Sequence, residues 1–286
     1  MQSIQLSNEE RVSQRLCDEN LAKAVAAIDT DGFVVIEDVV DLSHIEFVKE
    51  RVLADVELLQ NRPNAPFNWN RGNIQQDPPP FPPYLFRDIL VNEFAIQVTH
   101  AVLGNGMYCA FYSGNTAVLS EDRQPVHADS GQLWPVQKVA HPPYSLVVNV
   151  PLVDMSAENG STEIWPGTHA DTSVTMQDGD IKVSPERQAE RALEAPPLQP
   201  TVRAGSILIR DMRMWHAGMP NRTPNPRPML AMIHSVGWFP GGTVRFQKGS
   251  EDFLAHDVLN WRADFVDHVD HISAPGGFEY VGTSSN

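Results

Sequence analysis

The segment Gln124-Pro-Val-His127-Ala-Asp129 carries an imidazole and a carboxylate at positions i and i+2. In an extended strand alternate side chains leave the same face, so His127 and Asp129 are expected to point the same way. A second imidazole from another strand would complete a facial set of two histidines and one carboxylate. That set leaves positions open on an octahedral ion, the arrangement used by non-haem Fe(II) oxygenases. Of the ten histidines, His216 is the best placed. It follows the apolar run Ser206-Ile-Leu-Ile-Arg210 and precedes Ala217-Gly218, which puts it near a strand end. The chain between His127 and His216 is long enough for a sheet to return to the same rim.

A cation extends the pattern. Read as a strand, Arg227, Met229, Ala231 and Ile233 share one face, so a guanidinium heads an otherwise apolar inward row. A buried charge needs a counter-charge. A guanidinium meets a carboxylate through two parallel hydrogen bonds. A dicarboxylate such as 2-oxoglutarate answers both needs, with its 2-oxo and C1 carboxylate oxygens on the metal and its far carboxylate on Arg227. The plainer reading of Arg227 is an edge arginine in solvent or paired to an acid.

These residues need a scaffold. At 286 residues, 42% hydrophobic and 20% charged, the chain has the composition of a globular protein and the length of one large domain. The net charge of -15 argues against nucleic acid or an anionic membrane as partner, leaving a small-molecule substrate. Cys17 and Cys109 cannot build a disulfide framework and are in no CxxC pattern. The first ten residues lack a basic, apolar leader, and no run is apolar for long enough to span a bilayer, so a cytoplasmic location is expected.

Helical spacing of apolar residues predicts helices over 19–28, from a Ser43–Glu46 capping box to Asn61, and over 92–103 up to Gly104. Phe33–Ile36 reads as a short strand. Residues 61–84 are dense in Asn, Pro and Gly, and Asp77–Tyr84 can be neither helix nor central strand. That stretch is either a stiff surface connection or a loop over the mouth of a site. Beyond residue 107 short apolar runs alternate with turn residues: 108–112, 125–129, 145–150, 206–210 and 229–236. A further short, exposed helix is expected over 185–193. The pattern predicts a mainly β core in a sandwich or barrel, behind an N-terminal helical part. The expected division is one domain: a helical part and Pro-rich loop over 1–104, a β core over 105–245 and an extension over 246–286.

Three stretches make the chain similar to the phytanoyl-CoA dioxygenase family of Fe(II)/2-oxoglutarate oxygenases. The first is Gln124–Asp129, with the HxD pair. The second is Glu158-Asn-Gly-Ser-Thr-Glu-Ile-Trp-Pro-Gly-Thr-His169. The third runs from Ala204-Gly-Ser through Trp215-His216-Ala-Gly-Met-Pro-Asn221 to Arg227-Pro-Met-Leu230, with the arginine eleven residues after the histidine. Asp31-Gly-Phe-Val-Val-Ile36 fits the family's start. The resemblance implies a double-stranded β-helix, or jelly roll, of the cupin-like kind, with helices packed on it. It implies Fe(II) on His127, Asp129 and His216, 2-oxoglutarate on Arg227 with help from Thr162, and O2 as the second co-substrate. The expected reaction oxidises a C–H bond of a small organic substrate, with secondary metabolites favoured, and forms succinate and CO2. Hydroxylation, desaturation, epoxidation and ring formation all stay open. The carboxylate at 129 disfavours halogenation.

Other residues have plainer expectations. His141 and His169 read as loop or turn residues, and His234 as a core or surface histidine. Asp211 and Arg213 read as partners of each other. Phe67, Trp69, Phe81, Tyr84 and Trp238 are candidate pocket walls, and Gln75 and Gln76 candidate polar contacts. Two rival functions use the same residues. One is a cupin-like hydrolase or isomerase holding Zn2+ or Mn2+ without 2-oxoglutarate. The other is a non-catalytic β-sandwich that binds a small ligand.

Overall fold

Apolar residues at helical spacing, broken by glycine and asparagine, shape the first hundred residues. A computed structural model describes residues 2–177, 179 and 181–273, so the last part of the expected C-terminal extension lies outside the described residues. β1 (Ser3–Ile4) leads into α1 (Asn8–Ser13) and α2 (Asp18–Asp31). α2 buries Ala24, Ala27 and Ile28 and ends at Gly32, whose φ of 85° turns the chain into β2 (Phe33–Ile36). α3 (Leu42–Asn61) buries Ile45, Val48, Val52, Val56 and Leu59. Its start corrects the expected Ser43–Glu46 capping box. Asp41 is the N-cap, its carboxylate accepting the Ser43 N–H at 2.7 Å. It satisfies a free helix donor two residues earlier and adds negative charge at the positive helix end.

β3 (Asn73–Gln75) interrupts the Asn- and Pro-rich stretch as a three-residue edge strand, while Asp77–Tyr84 stays out of helix and sheet. Next come α4 (Arg87–Leu90) and α5 (Glu93–Leu103), the latter capped by Asn92 and closed at Gly104. The rest of the chain is mainly strand: β4 (Tyr108–Ala117), β5 (Ser145–Pro151) and β6 (Glu163–Ile164), then the exposed α6 (Pro185–Glu194). β7 (Ile207–Asp211), β8 (His216–Ala217), β9 (Arg227–Ser235) and β10 (Val244–Gln247) follow. α7 (Glu251–Leu254), β11 (Asn260–Trp261) and β12 (Ala263–Val266) complete the described elements.

The main sheet runs β1-β2-β7-β5-β9-β4-β11, with β3 added to β4. Its central pairs are antiparallel, and β1–β2 and β11–β4 are parallel. Facing it is a second, fragmentary layer. β6 pairs with β8, and isolated bridges join His127 to both His216 and Lys182, and Ile164 to Leu198. Across this layer the order is therefore Lys182, His127, His216, Ile164, Leu198. The expected strand over 125–129 is reduced to two bridges at the one residue His127, because β8 beside it is only two residues long. Two layers wound in this way form the jelly-roll core of a mainly β fold, with helices on the outer face.

Period-two alternation divides the main sheet. Along β7, Ile207 and Ile209 join Val34, Ile36, Leu146 and Val148 in the large core under the helices. Leu208 and Arg210 face the second layer instead. β5 is buried at every residue, as a central strand covered on both faces must be, and its sequence Ser-Leu-Val-Val-Asn-Val-Pro is apolar on nearly every position. Full burial of each large aliphatic side chain contributes roughly 1.5–3 kcal/mol. The helix-side face therefore holds the sheet rigid while its other face lines a cavity.

Candidate active site

His127 and His216 face each other as an antiparallel pair that exchanges both backbone hydrogen bonds. The His127 N–H donates to the His216 carbonyl at 3.0 Å and the His216 N–H to the His127 carbonyl at 2.8 Å. Residues so paired project from the same face, and the two rings lie 4.3 Å apart. Asp129, two residues on, is held by its N–H donating to the Met212 carbonyl and turns to the same side. Its Oδ1 is 3.4 Å from His216 Nε2 and 4.0 Å from His127 Nε2. The three ligand atoms lie within 4.8 Å of one another, the one such group of His, Cys, Asp and Glu among the described residues. Neighbouring donors about 2.1 Å from a shared ion would stand roughly 3 Å apart.

Local hydrogen bonds choose the right imidazole nitrogen. His127 Nδ1 lies 2.8 Å from the Pro125 carbonyl and His216 Nδ1 3.1 Å from the Met214 carbonyl. A carbonyl only accepts, so each Nδ1 carries the proton and each Nε2 lone pair faces the cluster. Burial, the neighbouring His216 and Arg210 push the His127 pKa down to about 3, against the opposing pull of Asp129. Burial alone would raise the Asp129 carboxyl, but Arg210, His216 and His127 hold it well below the usual range. The cluster thus presents a neutral His127 imidazole and an ionised Asp129 carboxylate, protonation states a divalent metal takes.

The second predicted feature is equally well defined. Arg227 is fully buried. Its Nη2 donates to the Gly160 carbonyl at 2.9 Å, while Nε and Nη1 have no partner among the described residues. With no anion beside it, burial lowers its pKa to about 10. Arg227 heads the face of β9 on which Met229, Ala231 and Ile233 line a cavity of about 250 Å3 that also contains the three ligands and Thr162. The eleven-residue step from His216 is set by a turn. Asn221 Nδ2 donates to the carbonyls of Ala117 at 3.0 Å and Asn225 at 2.8 Å, fixing the return into β9. Gly160 has φ of 78°, and a Cβ there would lie 2.6 Å from the Met219 carbonyl, so glycine alone lets this segment reach Arg227.

Other expectations divide. Of the five candidate aromatics only Trp69 lines this cavity, its ring 5.1 Å from that of His127. It adopts φ of 66°, a conformation rare for a bulky residue. Phe67, Phe81, Tyr84 and Trp238 do not line it; Phe81 and Tyr84 pack on each other instead. Gln75 reaches the wall, whereas Gln76 is buried behind it on the Val52 carbonyl. His141 and His169 are in loop and turn, and His234 is buried on the opposite face beside Thr99. Asp211 and Arg213 pair with each other at 2.7 Å. The sequence reading missed Arg210, Phe111 and the carboxamides of Asn68, Asn73, Asn115 and Asn149 on the wall. Inward alternation of Leu208 and Arg210 was the available signal for the first.

A family model described as Phytanoyl-CoA dioxygenase (PhyH) matches residues 28–229, which contain His127, Asp129, His216 and Arg227. The chain belongs to the phytanoyl-CoA dioxygenase family. That makes it an enzyme of the non-haem Fe(II)/2-oxoglutarate oxygenase type, and the residues present fit both groups: the donor set suits iron, and the unpaired guanidinium suits a carboxylate. Solved structures agree on the fold. AviO1 from Streptomyces viridochromogenes Tue57 aligns with TM-score 0.57 at 18% identity, over 79% of this chain and 99% of its own. EctD from S. alaskensis, solved with 2-oxoglutarate and 5-hydroxyectoine, gives 0.55 at 16%, over 81% and 78%. The non-haem alpha-ketoglutarate-dependent epimerase SnoN from nogalamycin biosynthesis gives 0.53 at 15%, over 77% and 84%.

Proposed function

We propose that the chain is an Fe(II)- and 2-oxoglutarate-dependent dioxygenase that oxidises an unactivated C–H bond of a small organic molecule, with formation of succinate and CO2. In this reading His127, Asp129 and His216 hold the iron, Arg227 pairs with the far carboxylate of 2-oxoglutarate, and the Thr162 hydroxyl supports that carboxylate. The observation that carries it is Arg227: a fully buried cation with two idle N–H groups, on the strand face that leads to the metal ligands. Leaving such a charge without an anion is costly, so the site is built for one. A metallohydrolase working without 2-oxoglutarate has no use for this arginine, and a solvent-facing Arg227 would have favoured that rival.

Bound iron would supply the oxidising power. The protein's share is to fix the three donors, hold the oxo-acid in one orientation, and keep the substrate carbon close while water is excluded. Trp69 covers the His127 side of the cavity. Met155, Ile164 and Ile181 furnish apolar wall, and carboxamides such as Asn68 and Asn149 furnish hydrogen bonds. A cavity of this size and mixed lining suits a compact natural product, and the net charge of -15 disfavours a coenzyme A thioester with its phosphates.

The test is anaerobic addition of Fe(II) and 2-oxoglutarate, followed by the visible spectrum, then O2 and a succinate assay. The expected outcome is the weak metal-to-ligand absorption band and succinate in the wild type. Both should be weakened by Arg227→Ala and abolished by His216→Ala. Folded, iron-loaded protein with neither band nor succinate would refute the reading.

A further inference from the structure

Arg210 is the one cation on the cavity wall among the described residues, and the assignment above does not use it. It lies on β7 directly across from Val147, which in turn faces Ile233 on β9, so the three share one inward row. The side chain is 9% exposed. Its Nη2 donates to Asp129 Oδ2 at 2.5 Å, leaving Oδ1 as the carboxylate oxygen that approaches both imidazoles. Its Nη1 is buried with no partner among the described residues. Leaving that donor unmet in the protein is costly, so a ligand acceptor is expected beside the proposed metal ligands.

The two arginines stand at opposite ends of one face. Arg227 is in the row of Ala117 and Asn73, and Arg210 is in the row of Ile233, six residues farther along β9. That is about 20 Å along the strand direction, with β5 lying between β7 and β9. The metal ligands lie on the Arg210 side.

We propose that Arg210 is a second co-substrate-binding arginine. It grips the outer oxygen of Asp129 through Nη2 and receives, through Nη1, the metal-side C1 carboxylate of the 2-oxo acid. The inference rests on the proposed function and deepens it. The site then recognises both ends of its co-substrate with guanidinium groups, and selects a 2-oxo acid over a plain ketone by Arg210.

The experiment uses Mn(II)-loaded protein without turnover, with calorimetric titration of 2-oxoglutarate and of 4-oxopentanoate, which keeps the ketone and far carboxylate but lacks the C1 carboxylate. Mn(II) affinity is measured separately for wild type, Arg210→Gln and Arg210→Lys, with circular dichroism to verify folding. At saturating Mn(II) both variants are expected to bind 2-oxoglutarate at least tenfold more weakly, with 4-oxopentanoate changed less than twofold. Unchanged 2-oxoglutarate binding, equal loss for both ligands, or loss of Mn(II) in both variants would overturn the proposal and leave Arg210 as a holder of Asp129 alone. A wild type that takes Mn(II) but binds no 2-oxoglutarate would instead bring down the functional reading beneath it.

Discussion

His234 is buried against Thr99, away from the cavity, and burial with a contribution from His256 lowers its pKa from 6.5 to about 3. The unfolded chain therefore protonates this residue first as pH falls. Its contribution is constant above pH 6.5 and turns increasingly unfavourable between pH 6.5 and 3. One such group lowers stability by about 2 kcal/mol between pH 6.5 and 5. His234→Gln, which stays neutral, should flatten the pH dependence of the urea midpoint by that amount; an unaltered slope would mean that His234 titrates normally. The same scale explains what could be read before the fold was known. His127, Asp129 and His216 are legible because metal chemistry admits few residue types and strand geometry demands the i, i+2 spacing. Arg210 is harder to read, because only its alternation with Leu208 marks it, and Ile-Leu-Ile-Arg otherwise reads as a strand that runs out into a solvent-exposed charge.

Between β7 and β8 the chain makes a tight turn that delivers His216. Arg213 organises it. Its Nε and Nη2 reach the two oxygens of Asp211, and its Nη1 donates to Gln132 Oε1 and to the His141 carbonyl. The pair is 3% and 1% exposed, so neither charge has water to fall back on. Arg213→Met should cost roughly 3–5 kcal/mol by stranding Asp211, and Asp211→Asn added to it should recover much of that loss. Denaturant titration of the two variants measures this, and equal stabilities would show that the pair is not coupled. At this level the longer helices and the central strands β2, β7, β5, β9 and β4 followed from periodicity, whereas the short β1, β3 and β11 did not and the strand over 125–129 did not form as such. The second layer consists of bridges too short for a pattern to announce. The Ser43 box failed for a different reason: Asp41, two residues upstream, takes both the N–H and the hydroxyl of Ser43.

Across the whole molecule the proposed metal ligands tie together segments that share no local structure. His127 and Asp129 come from a loop, His216 from β8, and the bridge between them belongs to the second layer. Metal bound to the folded form alone must stabilise the fold as a unit. At 100 times the dissociation constant the gain is about 2.7 kcal/mol. Mn(II) should raise the melting temperature of the wild type and leave that of His216→Ala unmoved. An equal rise in both would place the ion elsewhere. The mainly β class was legible from short apolar runs after residue 107, but which strands neighbour each other was not, since pairing is long-range and leaves no trace in local spacing.

The order β1-β2-β7-β5-β9-β4-β11 also sets a timetable for synthesis. Phe33–Ile36 emerges early, yet its neighbour on one side, Ile207–Asp211, is made some 170 residues later. Ser145–Pro151 waits likewise for Arg227–Ser235. Such non-local pairing folds slowly and leaves apolar edges open in the growing chain. The His127–Asp129 pair is translated long before His216 and Arg227, so a growing chain that has not yet passed residue 216 holds only two of the three proposed donors. On the proposed assignment, iron and its oxo-acid therefore meet a finished site only after the β9 strand has docked, so metal loading follows that pairing rather than aiding it.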